Sequence, residues 1–495
     1  MQQKSILHKL FHVFSQRPLL FALLSGFFFR TIASFYNYAP LSLDDYTEIM
    51  DPALRKLFEG QSISVSIIRM EIFPQIFYVF VKLAHLSGIV LPSSLVSSGL
   101  FMLGMISLFS IAGIYFLSLN FMDKKWSGIA AMLVSLYFLM PFISSRAELN
   151  SFVMSSIPWG FYFLTKKNSN RKDIFLGSYF LSLSVILRYQ IGILIATTSL
   201  YFLYQTFMGK WKKENWIYFL SAGIAVLLVM GALDIVDNRS PFSTLWNYIS
   251  TNYQSNIVHT KYGKAPWSVY LVLFLCLLIP PFSFLLTVPL PRVFKRIPLL
   301  SINFLIYVIF HSLIANKQER FMFPVIPLFF FFSVYGIQMY WNKKWIRVSF
   351  YGFLILNSFL IFPATFTRGQ MNVINAAQYL SDKEKKPLYL LDVDFWFHAY
   401  TKFAFPYPVQ TWKISGLISA LKTSSANSLR ILKLGQITDD DVKMLDEIQL
   451  KCEQISEFHP DLMEKLVILT NPLYNKRRDT TYLYDCQRVQ RREQK

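Results

Sequence analysis

The chain has 495 residues, 54% of them hydrophobic and 17% aromatic, with a mean hydropathy of +0.37 and a formal charge of +20. A soluble protein of this length rarely carries so much apolar side chain, so the composition excludes an ordinary globular enzyme and points to a helical membrane protein with many spans. The basic excess does not indicate nucleic acid, because Lys and Arg are scattered between apolar runs rather than gathered in one patch.

At the N-terminus, Lys4, Lys9 and Arg17 precede an apolar stretch with no small-residue cleavage site after it, which reads as an uncleaved first span over 18–36. Further apolar segments follow at 98–120, 127–143, 149–165, 174–187, 189–207, 216–236, 267–289, 298–315, 321–341 and 346–363. That makes about eleven spans by length, with the boundary between the two short segments near 188 left open. The stretch 72–92 is also apolar, and whether it crosses sets the topology. If it does not, "FMDKKW", "TKKNSNRKD", "GKWKKEN", "PRVFKR" and "WNKKWIR" all lie on the cytoplasmic side, as positively charged loops should. If it did, all would face outward. With Pro74, Lys82 and His85 inside it, 72–92 is expected to be a partly embedded amphipathic segment of a long first outer loop, 37–97. The loops 144–148, 237–266 and 314–320, the turn at Arg188 and everything after 364 then share that outer face.

Beyond 365 the apolar runs shorten to strand length, as in "PLYLLDV" and "LVILT", and "YNKRRDTTYLYDC" reads as a turn followed by a strand. Residues 1–365 are therefore expected to form the membrane domain and 366–495 a small α/β domain on the outer side. Cys276 sits in an apolar run and is expected to be inert, while Cys452 and Cys486 can pair if the terminal domain lies outside the cytosol. No Cys/His cluster has metal-ligand spacing.

The polar stretches on the outer face are the candidates for chemistry. "NYAPLSLDDYTEIMDPALRKLFEG" sets Asp44 and Asp45 just past the first span, with Glu48 and Asp51 further along what reads as a helix. Acids this near a bilayer are costly unless they face water or a site, so one can serve as general base toward an attacking hydroxyl; Asp45 and Glu48 also have capping-box spacing, and spacing alone does not choose. In "SIIRMEIFP", Arg69 can snorkel to headgroups or hold a phosphate through its planar fork of donors. "SSRAELNS" places Arg146 and Glu148 in a short turn, for which solvent and a helix cap are a sufficient explanation. In "ILRYQIG", Arg188 lies in apolar sequence with only Tyr189 and Gln190 for polar company, which makes it a functional candidate by default. "NYISTNYQSNIVHTKYGKAPWSVY", with His259, Lys261, Tyr262 and Lys264, suits interfacial anchoring and equally a sugar. "IANKQERFMFPVIPLFFFFS" sets Lys317, Glu319 and Arg320 against an apolar wall, and Pro324 and Pro327 predict local unwinding of the following span beside a cavity.

These stretches carry a family resemblance. "NKQERFMFPVIP" closely resembles the HKEERFLFPxxP signature of the GT-C-type, polyprenyl-phosphate-sugar-dependent α-mannosyltransferases of glycosyltransferase family 22, which include the GPI-anchor and N-glycan-assembly enzymes. "LSLDDYTEI" stands where that family has its acidic pair, "IIRMEIFP" resembles its RSxxxP segment, "SSRAELNSF" its SRTLSNS turn, "LRYQIGIL" its xRPTxxxx segment and "KYGKAPWSVYL" its YGxHPWxWY loop. The matches keep the family's order over roughly 1–365. Asn316 replaces the family's His, Gln318 an acid, Tyr189 and Gln190 the Pro-Thr pair, Met70 a Ser, and Asp45 the usual Glu; these departures bear on acceptor and sugar.

The resemblance implies a GT-C fold and an inverting transfer of mannose from a polyprenyl-phosphate-mannose donor to a hydroxyl of a glycan or glycolipid on the extracytoplasmic face. By the same resemblance Asp44 is the base, with Asp45 orienting it or the acceptor, and which of the two is the base stays open. Arg69, Arg188, Lys317 and Arg320 hold the donor phosphate, Glu319 orients the last two, and Arg146, His259 and Tyr262 contact substrate. No metal or cofactor is required beyond the lipid-linked donor. Compact loops and the lack of an ER retrieval signal favour a bacterial plasma membrane. A GT-C enzyme moving a glucosyl or pentosyl residue would use the same side chains. A transporter or flippase would need polar residues at mid-membrane and related halves, and no such repeat is seen. A nucleotide-sugar enzyme would need a cytosolic glycine-rich phosphate loop, which is missing from the sequence.

Overall fold

The structure, a computed structural model, describes residues 16–39, 43–254, 265–367, 369–381, 386–391, 409–412, 428–447, 449–470 and 479–488. They fall into two compact units. One comprises 16–35, Glu48–Leu83 and Ser98–Thr365; the other comprises Tyr36–Thr47, Ala84–Ser97 and the chain from Phe366 onward.

The first unit is helical, and every expected apolar segment is a helix or a broken helix. Pro18–Tyr36, Pro92–Leu119, Asn215–Val236, Glu319–Met339 and Lys344–Thr365 are each long and apolar enough to cross a bilayer. Lys124–Leu136, Leu149–Leu164, Arg171–Leu187, Gly192–Phe207 and Pro298–Leu313 are shorter. The expected single span at 267–289 is instead a pair, Val269–Leu277 and Phe282–Arg296, bent by 96°. Pro280 and Pro281 explain the break, since proline removes a helix donor and crowds the preceding turn. Glu319–Met339 starts as a 3-10 helix through Val325, with Pro324 inside it, and Pro327 falls in the first turn of the α-helix that follows. This is the unwinding expected there. The stretch 72–92 forms the helix Ile72–Leu86, which buries Phe73, Pro74, Phe77 and Val81 and exposes Val79, Leu83 and Leu86. At 1.5 Å per residue it spans roughly 22 Å, short of the ~30 Å hydrocarbon core.

Two features pack these helices. Gly160 and Gly177 let Leu149–Leu164 and Arg171–Leu187 approach closely: a Cβ at Gly160 would lie 2.6 Å from Leu181 Cγ and 3.1 Å from the Gly177 carbonyl oxygen. Arg30, fully buried in the first span, donates from Nε to Ser107 Oγ (2.7 Å), from Nη1 to the Gly26 and Ser135 carbonyls (3.4 and 3.3 Å), and from Nη2 to the Val134 carbonyl and Ser144 Oγ (both 3.2 Å). Every donor of its guanidinium is used, and one side chain ties together four helical segments.

The second unit contains a five-stranded mixed sheet, β1 Leu388–Leu391, β2 Val409–Trp412, β3 Ser428–Leu434, β4 Leu450–Phe458 and β5 Thr481–Arg488, in the order β2-β1-β3-β5-β4. β1 is parallel to β2 and β3, while β5 is antiparallel to β3 and β4. Alternate side chains feed two cores: Leu388, Leu390, Leu432 and Leu483 on one face, Tyr389, Leu391, Ile431 and Tyr484 on the other. Cys452 and Cys486 face each other across β4 and β5 and form a disulfide. The strand expected at "LVILT" is a helix, Leu462–Thr470. The Asp461 carbonyl accepts its first helical bond, from the Lys465 amide (2.9 Å), and a short apolar run carries no period of its own to decide between the two.

Candidate active site

The site-forming residues of the helical unit converge from breaks between helices. The helix Arg171–Leu187 ends at Arg188, whose backbone turns extended before the 3-10 turn Tyr189–Ile191. That exit drives the Arg188 side chain inward. It is 6% exposed, and its guanidinium lies 5.5 Å from the Phe321 ring centroid. Among the described residues its Nε and the Tyr189 hydroxyl are buried without hydrogen-bond partners. Burial of this kind is costly for a charge unless a ligand supplies the missing acceptors.

Arg188 and Tyr189 line an open cleft whose walls also include Glu48, Arg69, Phe73 and Leu149. Glu48 lies on a π-helix, Tyr46–Met50, and its Oε2 accepts from the Ser66 amide at 3.1 Å, which ties Glu48 to the segment carrying Arg69. π-Helical turns are frequent at functional sites. The charges acting on Arg188 are Arg69 and Arg320, which repel it, and Glu148, which attracts it.

Glu148 caps the helix Leu149–Leu164. Its Oε1 accepts from the Asn150 side chain (2.5 Å), and its Oε2 accepts from Arg320 Nη1 (3.1 Å). Arg320 Nε also donates to Gln318 Oε1 at 2.6 Å. Lys317 Nζ donates to the Ile314 and Ala265 carbonyls (2.6 and 2.9 Å), and burial pushes its ammonium below the ordinary lysine value. The cleft thus brings the guanidinium-bearing residues Arg69 and Arg188 together, and two such forks suit an anion with at least two exposed oxygens.

The sequence pattern of the Alg9-like mannosyltransferase family matches residues 64–394. The chain belongs to that family. It is 25% identical over 372 residues to the GPI mannosyltransferase 3 of Debaryomyces hansenii, covering 72% of this chain and 66% of that one. It is 27% identical over 163 residues to the GPI mannosyltransferase 3 of Candida albicans and 26% over 194 residues to the GPI alpha-1,2-mannosyltransferase 3 of Xenopus laevis, spanning about a third of each. In fold it resembles ArnT from Cupriavidus metallidurans bound to undecaprenyl phosphate, with a TM-score of 0.59 at 8% identity over 94% of this chain and 97% of that one. It also resembles the apo oligosaccharyltransferase of Archaeoglobus fulgidus, with a TM-score of 0.51 at 9% identity over 79% and 64%. The protein is a multi-pass integral membrane protein of the GT-C fold.

Within this family member, the expected site residues separate. Arg69 and Arg188 share the cleft. Arg320 joins them through Glu148, while Lys317 caps the Ile314 carbonyl of its own turn and the distant Ala265 carbonyl. Glu319 is exposed, and among the described residues it forms no ion pair with Lys317 or Arg320. Glu148 and Gln318 orient Arg320 instead, because Glu319 opens the 3-10 helix and its side chain turns outward. Arg146 is 1% exposed rather than solvated, lies 4.4 Å from the Phe142 ring centroid and lines a separate notch with Ser107 and Ser155. Asp44 is half-buried and Asp45 buried, on the turn Leu43–Asp45 of the second unit. His259 and Tyr262 lie outside the described residues. Glu48 and Glu148 enter the site more firmly than their sequence setting indicated. The usable signal for Glu148 is an acid two residues from an arginine in a short turn between two apolar runs.

Proposed function

We propose that the protein is an inverting mannosyltransferase that moves mannose from a polyprenyl-phosphate-mannose to a hydroxyl of a glycan or glycolipid on the extracytoplasmic face. The buried Arg188 guanidinium, without a protein acceptor among the described residues and in a cleft that Arg69 shares, carries this reading. A ligand anion at that position would supply the missing acceptors, and a lipid phosphate fits a basic cleft set among apolar helices. Family membership supports mannose. The disulfide of the terminal unit supports the face, since disulfides persist in oxidising compartments.

In the proposed reaction Asp44 accepts the proton of the acceptor hydroxyl, whose oxygen bonds to C1 of mannose with inversion. The bond from C1 to the phosphate oxygen breaks, and polyprenyl phosphate departs with the electron pair. Arg69 and Arg188, with Arg320 behind them, stabilise the charge that grows on the leaving group. Asp45 holds Asp44 or the acceptor.

The test uses purified protein in nanodiscs, radiolabelled polyprenyl-phosphate-mannose and a panel of lipid-linked and soluble glycans. Transfer by the wild type and its loss in Asp44→Asn, with an unchanged melting temperature, is the expected result; loss confined to Asp45→Asn moves the base by one residue. Full activity in both variants overturns the acidic loop as the catalytic centre. Transfer only from a glucosyl or pentosyl polyprenyl phosphate overturns mannose and leaves the rest.

A further inference from the structure

A second network of charges lies beside the cleft, and the proposed chemistry does not use it. The helix Asn215–Val236 ends at Asp237, and Asn238, at φ 57°, reverses the chain into the helix Ser243–Gln254. Asparagine tolerates this left-handed backbone better than most residues. The reversal brings Arg239 back onto the segment 66–71. Arg239 Nη1 donates to the Arg69 carbonyl at 2.7 Å, and Nη2 lies 3.6 Å from Glu71 Oε1. Asp237 Oδ2 accepts from the Glu71 amide at 3.1 Å. Arg239 is itself held from behind: its amide donates to the Asp234 carbonyl (2.8 Å), and Thr244, which bonds Asp234 through both amide and hydroxyl, accepts from Nη1 at 3.4 Å.

The chain around Arg69 is thus gripped at its carbonyl and at the amide and carboxylate two residues on, by groups from one rigid turn. Arg69 meanwhile lines the cleft, near enough for its charge to act on Arg188. Arg239 is 170 residues away in sequence and is not among the residues lining the cleft.

We infer that Arg239 is a positioning residue: with Glu71 and Asp237 it fixes the backbone at Arg69, so that the Arg69 guanidinium is presented to the phosphate of the lipid-linked donor. This rests on the reading of the cleft as the donor-phosphate site. Without the clasp, Arg69 keeps its charge but loses a defined direction, and a bidentate contact depends on direction.

The experiment is equilibrium binding of tritiated polyprenyl-phosphate-mannose to the full chain in nanodiscs, which needs no acceptor. Arg239→Ala is expected to weaken binding at least about tenfold, and Arg239→Lys to recover part of that, because an ammonium can still reach the Arg69 carbonyl. Glu71→Gln, which keeps the amide bonded to Asp237, is expected to give a smaller loss. The deciding readout is the double variant: in an Arg69→Ala background, Arg239→Ala should add less than about twofold. An equal loss from Arg239→Ala with and without Arg69 overturns the proposal, and so does wild-type affinity in Arg239→Ala. If Arg239→Ala does not fold, the same cycle run with Glu71→Gln decides. Wild-type affinity in Arg69→Ala would instead overturn the reading of the cleft itself.

Discussion

Two arginines of the helical unit are buried almost equally, Arg30 at 0% and Arg188 at 6% exposure, yet their surroundings are opposite. Arg30 spends every guanidinium donor on oxygens of its own protein. Arg188 spends none among the described residues and opens onto a cleft. A buried cation that is fully satisfied belongs to the scaffold, and one left unsatisfied beside an opening awaits a ligand. In the proposed reading the same residue type at the same depth thus serves two functions, and burial alone does not separate them.

Removing each arginine tests the contrast. Arg30→Met should cost about 3 kcal/mol or more, because two serine hydroxyls and three carbonyls lose a charged donor at once. A fall in melting temperature or loss of a monodisperse peak in detergent would register it. Arg188→Met should do the reverse: melting unchanged or raised, since an unpaired buried charge disappears, and donor binding weakened by about 100-fold, or ~2.7 kcal/mol. If Arg30→Met melts normally while Arg188→Met unfolds, the assignment of scaffold and site is inverted.

A smaller effect is expected one step from the cleft. Glu148→Gln keeps the length of the side chain and its cap on Asn150 but removes the charge that Arg320 pairs with. Arg320 should then lose its direction, and transfer should fall about tenfold, chiefly in donor KM, an effect near 1.4 kcal/mol. Unchanged kinetics would make the Glu148–Arg320 pair a structural link only.

The sequence made most of the scaffold legible because hydropathy is local: most spans are one run, and Pro324 and Pro327 mark where one helix yields, whereas the break at Pro280 and Pro281 is hidden inside a run that is apolar on both sides. It also identified Arg69 and Arg188 as candidates, since an arginine at such positions needs a reason. It could not assign partners. Glu148 and Arg320 are 172 residues apart, and Arg30 meets oxygens as far as 114 residues away, on helices whose contacts no run of sequence specifies. Proximity in sequence misled where Glu319 was paired with its neighbours, because adjacent residues on a 3-10 turn point in different directions. The helix at Leu462–Thr470 failed for a related reason: a run this short is read by its tertiary surroundings.

Lys317 tests the finest distinction, whether a cation beside the site is a strut or a partner of the phosphate. Its ammonium bonds two carbonyls, as a strut would, and burial lowers its pKa. A lowered pKa means the proton is lost earlier as pH rises, and a neutral amine cannot pair with a phosphate. If Lys317 contacts the donor, kcat/KM, which reports the free enzyme, should decline on the alkaline side below the ordinary lysine value of about 10.4. Lys317→Arg should move that decline upward, because guanidinium stays protonated across the range, while lowering the plateau a few-fold through a poorer fit to the two carbonyls. An alkaline limb that stays in place in Lys317→Arg would make Lys317 a strut that fixes the turn between the Pro298–Leu313 helix and Arg320, and would leave the phosphate to the arginines.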